Sequence, residues 1–194
     1  MAARSSGNTA ARPLPGDLAI WFFILAELLV FGVFFLAYAF ARAGHVELFD
    51  HYQQTLDRTS GAVNTLVLIT SSWFVVNAVS AIRANRADLC TRWLLAAMGG
   101  GAVFVAIKLH EFMAKAEAGI TLSTNTFYMF YLSLTFFHFM HVLMGMVILG
   151  FVAAKAYRGD YDADHHTGVE TGASYWHMVD LVWIVLFPLV YVMH

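Results

Sequence analysis

The run His165-His166-Thr167-Gly168-Val169-Glu170-Thr171-Gly172-Ala173-Ser174-Tyr175-Trp176-His177-Met178-Val179-Asp180-Leu181-Val182-Trp183, continuing into the apolar tail Ile184 to Met193, decides the fold class. From Ser174 to Met193 it is long enough to cross a bilayer as a helix, since about 20 residues at ~1.5 Å rise cover a hydrocarbon core of about 30 Å. It nonetheless holds a histidine and a carboxylate, His177 and Asp180, close together on one helical face. Ionisable groups at that depth are costly, so each requires a partner that the rest of the chain must supply.

Working outward, four further runs meet the same length criterion: 18–41, 62–82, 93–111 and 127–154, beside 174–193. The fold expected is all-α, a polytopic membrane protein with a five-transmembrane-helix bundle. Its apolar runs are continuous, which excludes the alternating pattern of a closed β-barrel. Composition agrees: of 194 residues 60% are hydrophobic and 12% charged, far from a soluble domain. With 11 Lys and Arg against 13 Asp and Glu, no basic surplus exists to track a phosphate backbone, and nucleic acid is not expected as a partner. The single cysteine, Cys90, can form neither an internal disulfide nor a thiolate metal site.

Residues 1–16 are small, polar and interrupted by Pro13 and Pro15, and read as a flexible tail before a single domain over 17–194. Ala37-Tyr38-Ala39 has the look of a signal-peptidase site, but the apolar run before it exceeds an h-region, so the first span reads as uncleaved. The connections, about 10 to 20 residues each, are too short for another folded unit. Lys and Arg set the orientation. With the N-terminus inside, the inner segments hold Arg4, Arg12, Arg83, Arg86, Arg92, Lys155 and Arg158, and the outer ones only Arg42, Arg58 and Lys115. The expectation is N-terminus inside and C-terminus outside, in a bacterial cytoplasmic (inner) membrane.

The spans carry features that act only against another helix. Ala96, Ala97, Gly99, Gly100, Gly101 and Ala102 allow close backbone approach in the third. Asn64, Thr65, Ser71 and Ser72 supply interhelical hydrogen bonds from the second, and Gly145 and Gly150 continue the pattern in the fourth. A compact bundle accounts for all of these.

Eight ionisable groups remain as intramembrane polar, lipid-contacting or packing candidates: Glu27, Lys108, Glu111, His138, His141, Glu170, His177 and Asp180. Glu27 lies on the order of 13 Å into the first span, where a carboxylate either takes a proton or meets a donor. His138 and His141 share a helical face, where imidazoles serve as haem or copper ligands or as polar packing groups, with His177 the candidate third member. His177 and Asp180 either bond each other or bracket a neighbour's donor, and Glu170 is the expected local partner of His177. Lys108 and Glu111 suit an ion pair with the lysine snorkelling to the outer interface. Asp160, Asp162 and Asp164 mimic the start of a calcium loop, but His165 stands where Gly is needed and Thr171 where Glu is needed. No pattern argues for nucleophilic catalysis or nucleotide binding.

Together these motifs resemble subunit III of the haem-copper oxidase superfamily. The family reads His-His-x-Gly-x-Glu, a few small residues, then Tyr-Trp-His-Phe-Val-Asp-Val-Val-Trp; here this is His165 to Glu170 and Tyr175 to Trp183, with Met178 in place of Phe. Glu27 matches the buried glutamate of Ser-Glu, with Ala26 replacing the serine. Asn64-Thr65, Ser71-Ser72, Glu111-Phe112 and His138-Phe139-Met140-His141-Val142 with Gly145 follow in order, Phe139 replacing a small glycine. Full-length members have seven spans, the first two facing the other five across a lipid-filled cleft. Five spans and the ending Ile184 to Tyr191 look most like the short NorE-type proteins associated with bacterial nitric oxide reductase.

The resemblance implies a non-catalytic accessory subunit, without catalytic, cofactor or metal residues of its own, in respiratory electron transport and specifically denitrification. Its partner is then a multi-span catalytic subunit that holds haem and iron or copper. Phospholipid and other membrane lipids are the further contacts implied. The alternative within the class is a truncated subunit III of an oxygen-reducing cytochrome c oxidase; from other classes, a haem-binding protein using His138, His141 and His177, or a proton-conducting protein centred on Glu27.

Overall fold

A computed structural model describes residues 17–193; the N-terminal segment 1–16, read above as a tail, lies outside the described residues. Among the described residues, five helices are long and apolar enough to cross a membrane. They are α1 (Leu18–Gly44), α3 (Arg58–Arg83), α4 (Ala87–Glu117), α5 (Thr126–Tyr157) and α6 (Thr167–Phe187); α2 (Val46–Gln53) is a short helix between α1 and α3. All five expected spans are helical, and α4 extends well beyond 93–111 at both ends.

Local chemistry sets the helix ends. Asp57 accepts from the backbone N–H of Thr59 at 2.9 Å and Ser60 at 3.2 Å, and Asn125 from Tyr128 at 2.8 Å, so α3 and α5 start on side-chain caps. The α3, α4 and α5 C-termini close through a residue in the left-handed region: Asn85 (φ 57), Gly119 (φ 72) and Gly159 (φ 77). In each, the next amide reaches back to an orphan carbonyl, as Ile120 N–H does to Lys115 O at 3.0 Å.

Within the bundle α4 packs between α3 and α5, α6 lies against α3 and α5, and α1 runs along α6 and α5 at the periphery. The small residues act where expected. A Cβ on Gly100 would stand 2.9 Å from Ser71 Cβ, and the Ser71 hydroxyl donates to the Ala97 carbonyl at 2.7 Å. Gly101 and Gly145 make room for the Trp176 indole, which a Cβ would meet at 2.8 and 2.9 Å. The nearly uniform apolarity of α1 shows in its packing: only 11% of its apolar window is buried.

The last span does not continue as a regular helix to residue 193. Pro188 has no N–H to offer the preceding turn, and Pro188–Val192 form a wide π turn closed by Met193 N–H on Pro188 O at 2.9 Å. Two side chains from the α1–α2 region satisfy carbonyls there. Gln53 Nε2 donates to Val190 O at 2.9 Å, and the Arg42 guanidinium, itself paired with Asp50 at 2.8 Å, donates to Met193 O.

Candidate functional site

Among the described residues, three clusters of polar groups lie within the bundle. Towards the α2 end of the bundle, Lys108 is fully buried and donates to Glu111 Oε2 at 2.9 Å and to the Tyr191 hydroxyl at 2.7 Å. Tyr131 donates to Glu111 Oε1 at 2.5 Å and Tyr191 to the same oxygen at 3.0 Å. The ammonium is ringed by Phe112, Tyr131, Trp183 and Tyr191 at 5.2–5.6 Å from the ring centres. This corrects the snorkelling lysine: the ion pair exists, but it points into the bundle. A carboxylate, a phenol oxygen and four aromatic faces replace the water an interfacial lysine would seek. Tyr191 enters the cluster through the wide turn, which ordinary helical periodicity does not foresee.

In the middle of the bundle α6 presents its polar face to α3. His177 Nδ1 and the Ser72 hydroxyl are 2.6 Å apart, Asp180 faces the same hydroxyl, and the Trp183 indole N–H donates to Thr65 Oγ1 at 3.0 Å. Thus His177 and Asp180 bracket a neighbour's hydroxyl. Glu170, expected beside His177, is elsewhere: its Oε1 takes Arg83 at 2.6 Å and His166 at 3.2 Å. The reason is spacing, because seven helical residues separate Glu170 from His177 by roughly 10 Å along the axis. That places Glu170 at the end of the bundle, where α3 finishes with Arg83.

The third cluster joins α1 to α5. Glu27 Oε2 lies 3.1 Å from His141 Nε2, whose Nδ1 lies 2.8 Å from the Phe137 carbonyl oxygen, so Glu27 meets a side-chain partner. His138, although on the same helical face, turns away from His141 and places Nε2 3.0 Å from Val179 O on α6, its ring between Phe104 and Trp183. The three histidines considered as ligands therefore turn to α1, α3 and α6. No group of three His, Cys, Asp or Glu side chains converges among the described residues.

Outside the spans, Asp162 accepts from the backbone N–H groups of His165 and Asp164, which hold its carboxyl below the usual range. The acidic loop thus folds on its own amides. Thr65, Ser72, Arg83, Tyr131, Trp183 and the wide-turn Tyr191 also take part in these contacts, beyond the eight candidates. A signal existed for Ser72 in its spacing from Thr65 along one α3 face, and none for Tyr191.

The family model for cytochrome c oxidase subunit III matches residues 15–194. The chain is 33% identical over 177 residues to cytochrome c oxidase subunit 3 of Thermostichus vulcanus, covering 91% of this chain and 86% of the relative. Against the protein of the same name from Synechocystis sp. the identity is 34% over 172 residues, covering 88% and 72%. A heme-copper oxidase subunit I+III of Aeropyrum pernix is 27% identical over 188 residues, which cover 92% of this chain and 23% of that protein.

Proposed function

The chain belongs to the cytochrome c oxidase subunit III family, and from that premise we propose that it is the third subunit of an oxygen-reducing haem-copper oxidase. It is a non-catalytic, multi-pass subunit of the bacterial cytoplasmic membrane that supports the assembly and sustained turnover of the catalytic subunit beside it. The observation that carries the reading is the family match across nearly the whole chain, with relatives named for cytochrome c oxidase. Nitric oxide reductase, the partner suggested by the five-span resemblance, draws no support from these relatives, and the oxidase alternative takes its place.

The partner is a catalytic subunit I, which holds the haem and copper. The Aeropyrum relative, whose name joins subunits I and III in one chain, supports that pairing. The residues agree with a supporting role: His138, His141 and His177 each bond within the bundle, so their imidazoles fix helices against one another. The test is purification of the tagged chain from native membranes in mild detergent. Co-purification with a haem-copper subunit that consumes oxygen is expected; co-purification with nitric oxide-reducing activity instead would return the reading to denitrification. Deletion should shorten sustained turnover while leaving the haem spectrum of the catalytic subunit in place.

A further inference from the structure

The Ser72 hydroxyl of α3 lies between two α6 side chains: it donates to Asp180, and His177 Nδ1 is 2.6 Å from its oxygen. A hydroxyl has a single hydrogen, and here Asp180 takes it, so the bond to His177 is an Nδ1–H donating to the serine oxygen. In a neutral imidazole Nε2 is then a bare lone pair. Among the described residues no donor is bonded to it. Asp180, Ser72 and His177 thus carry an acceptor from the buried α3–α6 seam to the outer edge of the imidazole.

That acceptor faces outward. Leu181 and Ile184, four and seven residues beyond the half-buried His177 and so on its helical face, are exposed. Ile69 and Val76, one turn either side of Ser72 on α3, are exposed too. Lipid head groups do not reach the ring: His177 lies roughly 10 Å along α6 from Glu170, which pairs with Arg83 at the end of the bundle. Hydrocarbon tails have no donor to offer, and a polar group at such depth is costly without one. The outward arcs of α5 and α1 differ, being apolar at Met140, Met144 and Val147 and at Leu25, Leu29 and Val33. Lipid tails satisfy those arcs, whereas the α3–α6 arc calls for a protein.

Resting on the oxidase reading of the chain, we propose that the α3–α6 face is where the catalytic subunit docks, through a membrane-spanning helix that places a hydrogen-bond donor (a hydroxyl, amide or indole N–H) on His177 Nε2. Such a helix delivers a side-chain donor at this depth with its own backbone bonds satisfied. Leu181, Ile184, Ile69 and Val76 form the apolar rim around that bond. Ser72 and Asp180 are positioning residues: they fix the tautomer that turns the lone pair outward.

The test is photo-cross-linking in native membranes, with the tagged full chain in its complex. Benzoylphenylalanine replaces Leu181 on the α3–α6 face or Met144 on the apolar α5 face, both exposed. An adduct with the co-purifying haem-copper subunit is expected from position 181 and not from 144. That subunit co-purifying with no adduct from 181, an adduct from 144 instead, or an adduct between two copies of this chain overturns the face and leaves the oxidase reading in place; absence of any haem-copper subunit overturns both. A pair of substitutions tests the hydrogen bond. His177→Phe is expected to weaken retention of the catalytic subunit in detergent by roughly 3- to 20-fold, as for one hydrogen bond between membrane helices. Ser72→Ala, which breaks only the internal bond, should weaken it by less. Equal losses would make His177 an internal link alone and overturn the proposal.

Discussion

Replacing Lys108 by Met tests whether the buried ion pair or the packing around it secures the α2 end of the bundle. Lys108 is fully buried, Glu111 is 9% exposed, and the ammonium donates to both Glu111 and Tyr191. Removing one partner of a buried pair typically costs about 3–5 kcal/mol, because the other charge is left uncompensated. Here Glu111 keeps two phenol donors, Tyr131 and Tyr191, so the low end applies, about 3 kcal/mol. Methionine fills most of the lysine volume and retains contact with the aromatic rings, so little of that loss is cavity. In Lys108→Met/Glu111→Gln no charge is stranded, and most of the loss should return, giving a coupling of about 2 kcal/mol. The assay is reversible denaturant unfolding in mixed micelles, followed by Trp fluorescence, for the native chain, both single variants and the double. A Lys108→Met cost below about 1 kcal/mol, as for an exposed pair, or strictly additive single effects, would refute this account.

Four smaller perturbations follow from the same geometry. Gly145→Val brings a branched side chain onto Trp176 and Tyr175 at 2.9–3.2 Å, and overpacking of that kind costs about 1–3 kcal/mol; Gly99→Ala, where nothing lies within 4 Å, should be neutral or stabilising by up to ~1 kcal/mol in the same unfolding assay. Gln53→Ala removes the donor to Val190 O and should raise amide exchange across Pro188–Val192, with a cost of about 1 kcal/mol; unchanged protection there would mean that the turn holds itself. At the start of α3, bonds from the Ser60 hydroxyl and from the Ser60 and Thr59 amides hold the Asp57 carboxyl below the usual range. A lowered value means that its contribution is present above the unfolded-state value and is lost as pH falls through the folded one. Asp57→Ala should therefore destabilise by ~1 kcal/mol at neutral pH, with the difference from the native chain vanishing in acid.

The spans were readable from the sequence because a membrane helix needs only length and apolarity, and both are properties of a single segment. The partners of the polar groups were less readable, because a partner is set by rotation and register between segments. Lys108 illustrates the gap. Its spacing from Glu111 identifies the pair, but whether the pair turns outward or inward depends on Tyr131, Trp183 and Tyr191, which lie on α5, α6 and the wide turn. Tyr191 itself reaches the pair from within the wide turn that begins at Pro188. Glu170 illustrates the opposite error, in which closeness in sequence suggested a partnership with His177 that helical rise does not permit. The short helix α2 escaped notice because eight residues of mixed polarity have no periodic signal of their own. It forms where Phe49 and Gln53 find burial beneath the last turn.

What the sequence shared out along the chain, the fold gathers by depth. Three polar residues join helices: Glu111 binds α4 to α5 and to the wide turn, Ser72 binds α3 to α6, and Glu27 binds α1 to α5. Such links specify helix rotation more than they add stability, since lipid tails are as apolar as leucine and exert little force that would choose one face of a helix over another. The links between α3, α4, α5 and α6 are backed by tight steric fits at Gly100, Gly101 and Gly145, so loss of one hydrogen bond there leaves the rotation fixed. α1 has no comparable fit: a Cβ on its Gly32 would meet nothing within 4 Å. Its side-chain link to α5 is the Glu27–His141 contact at 3.1 Å, with the Phe31 and Phe34 rings packed on Phe137 beside it.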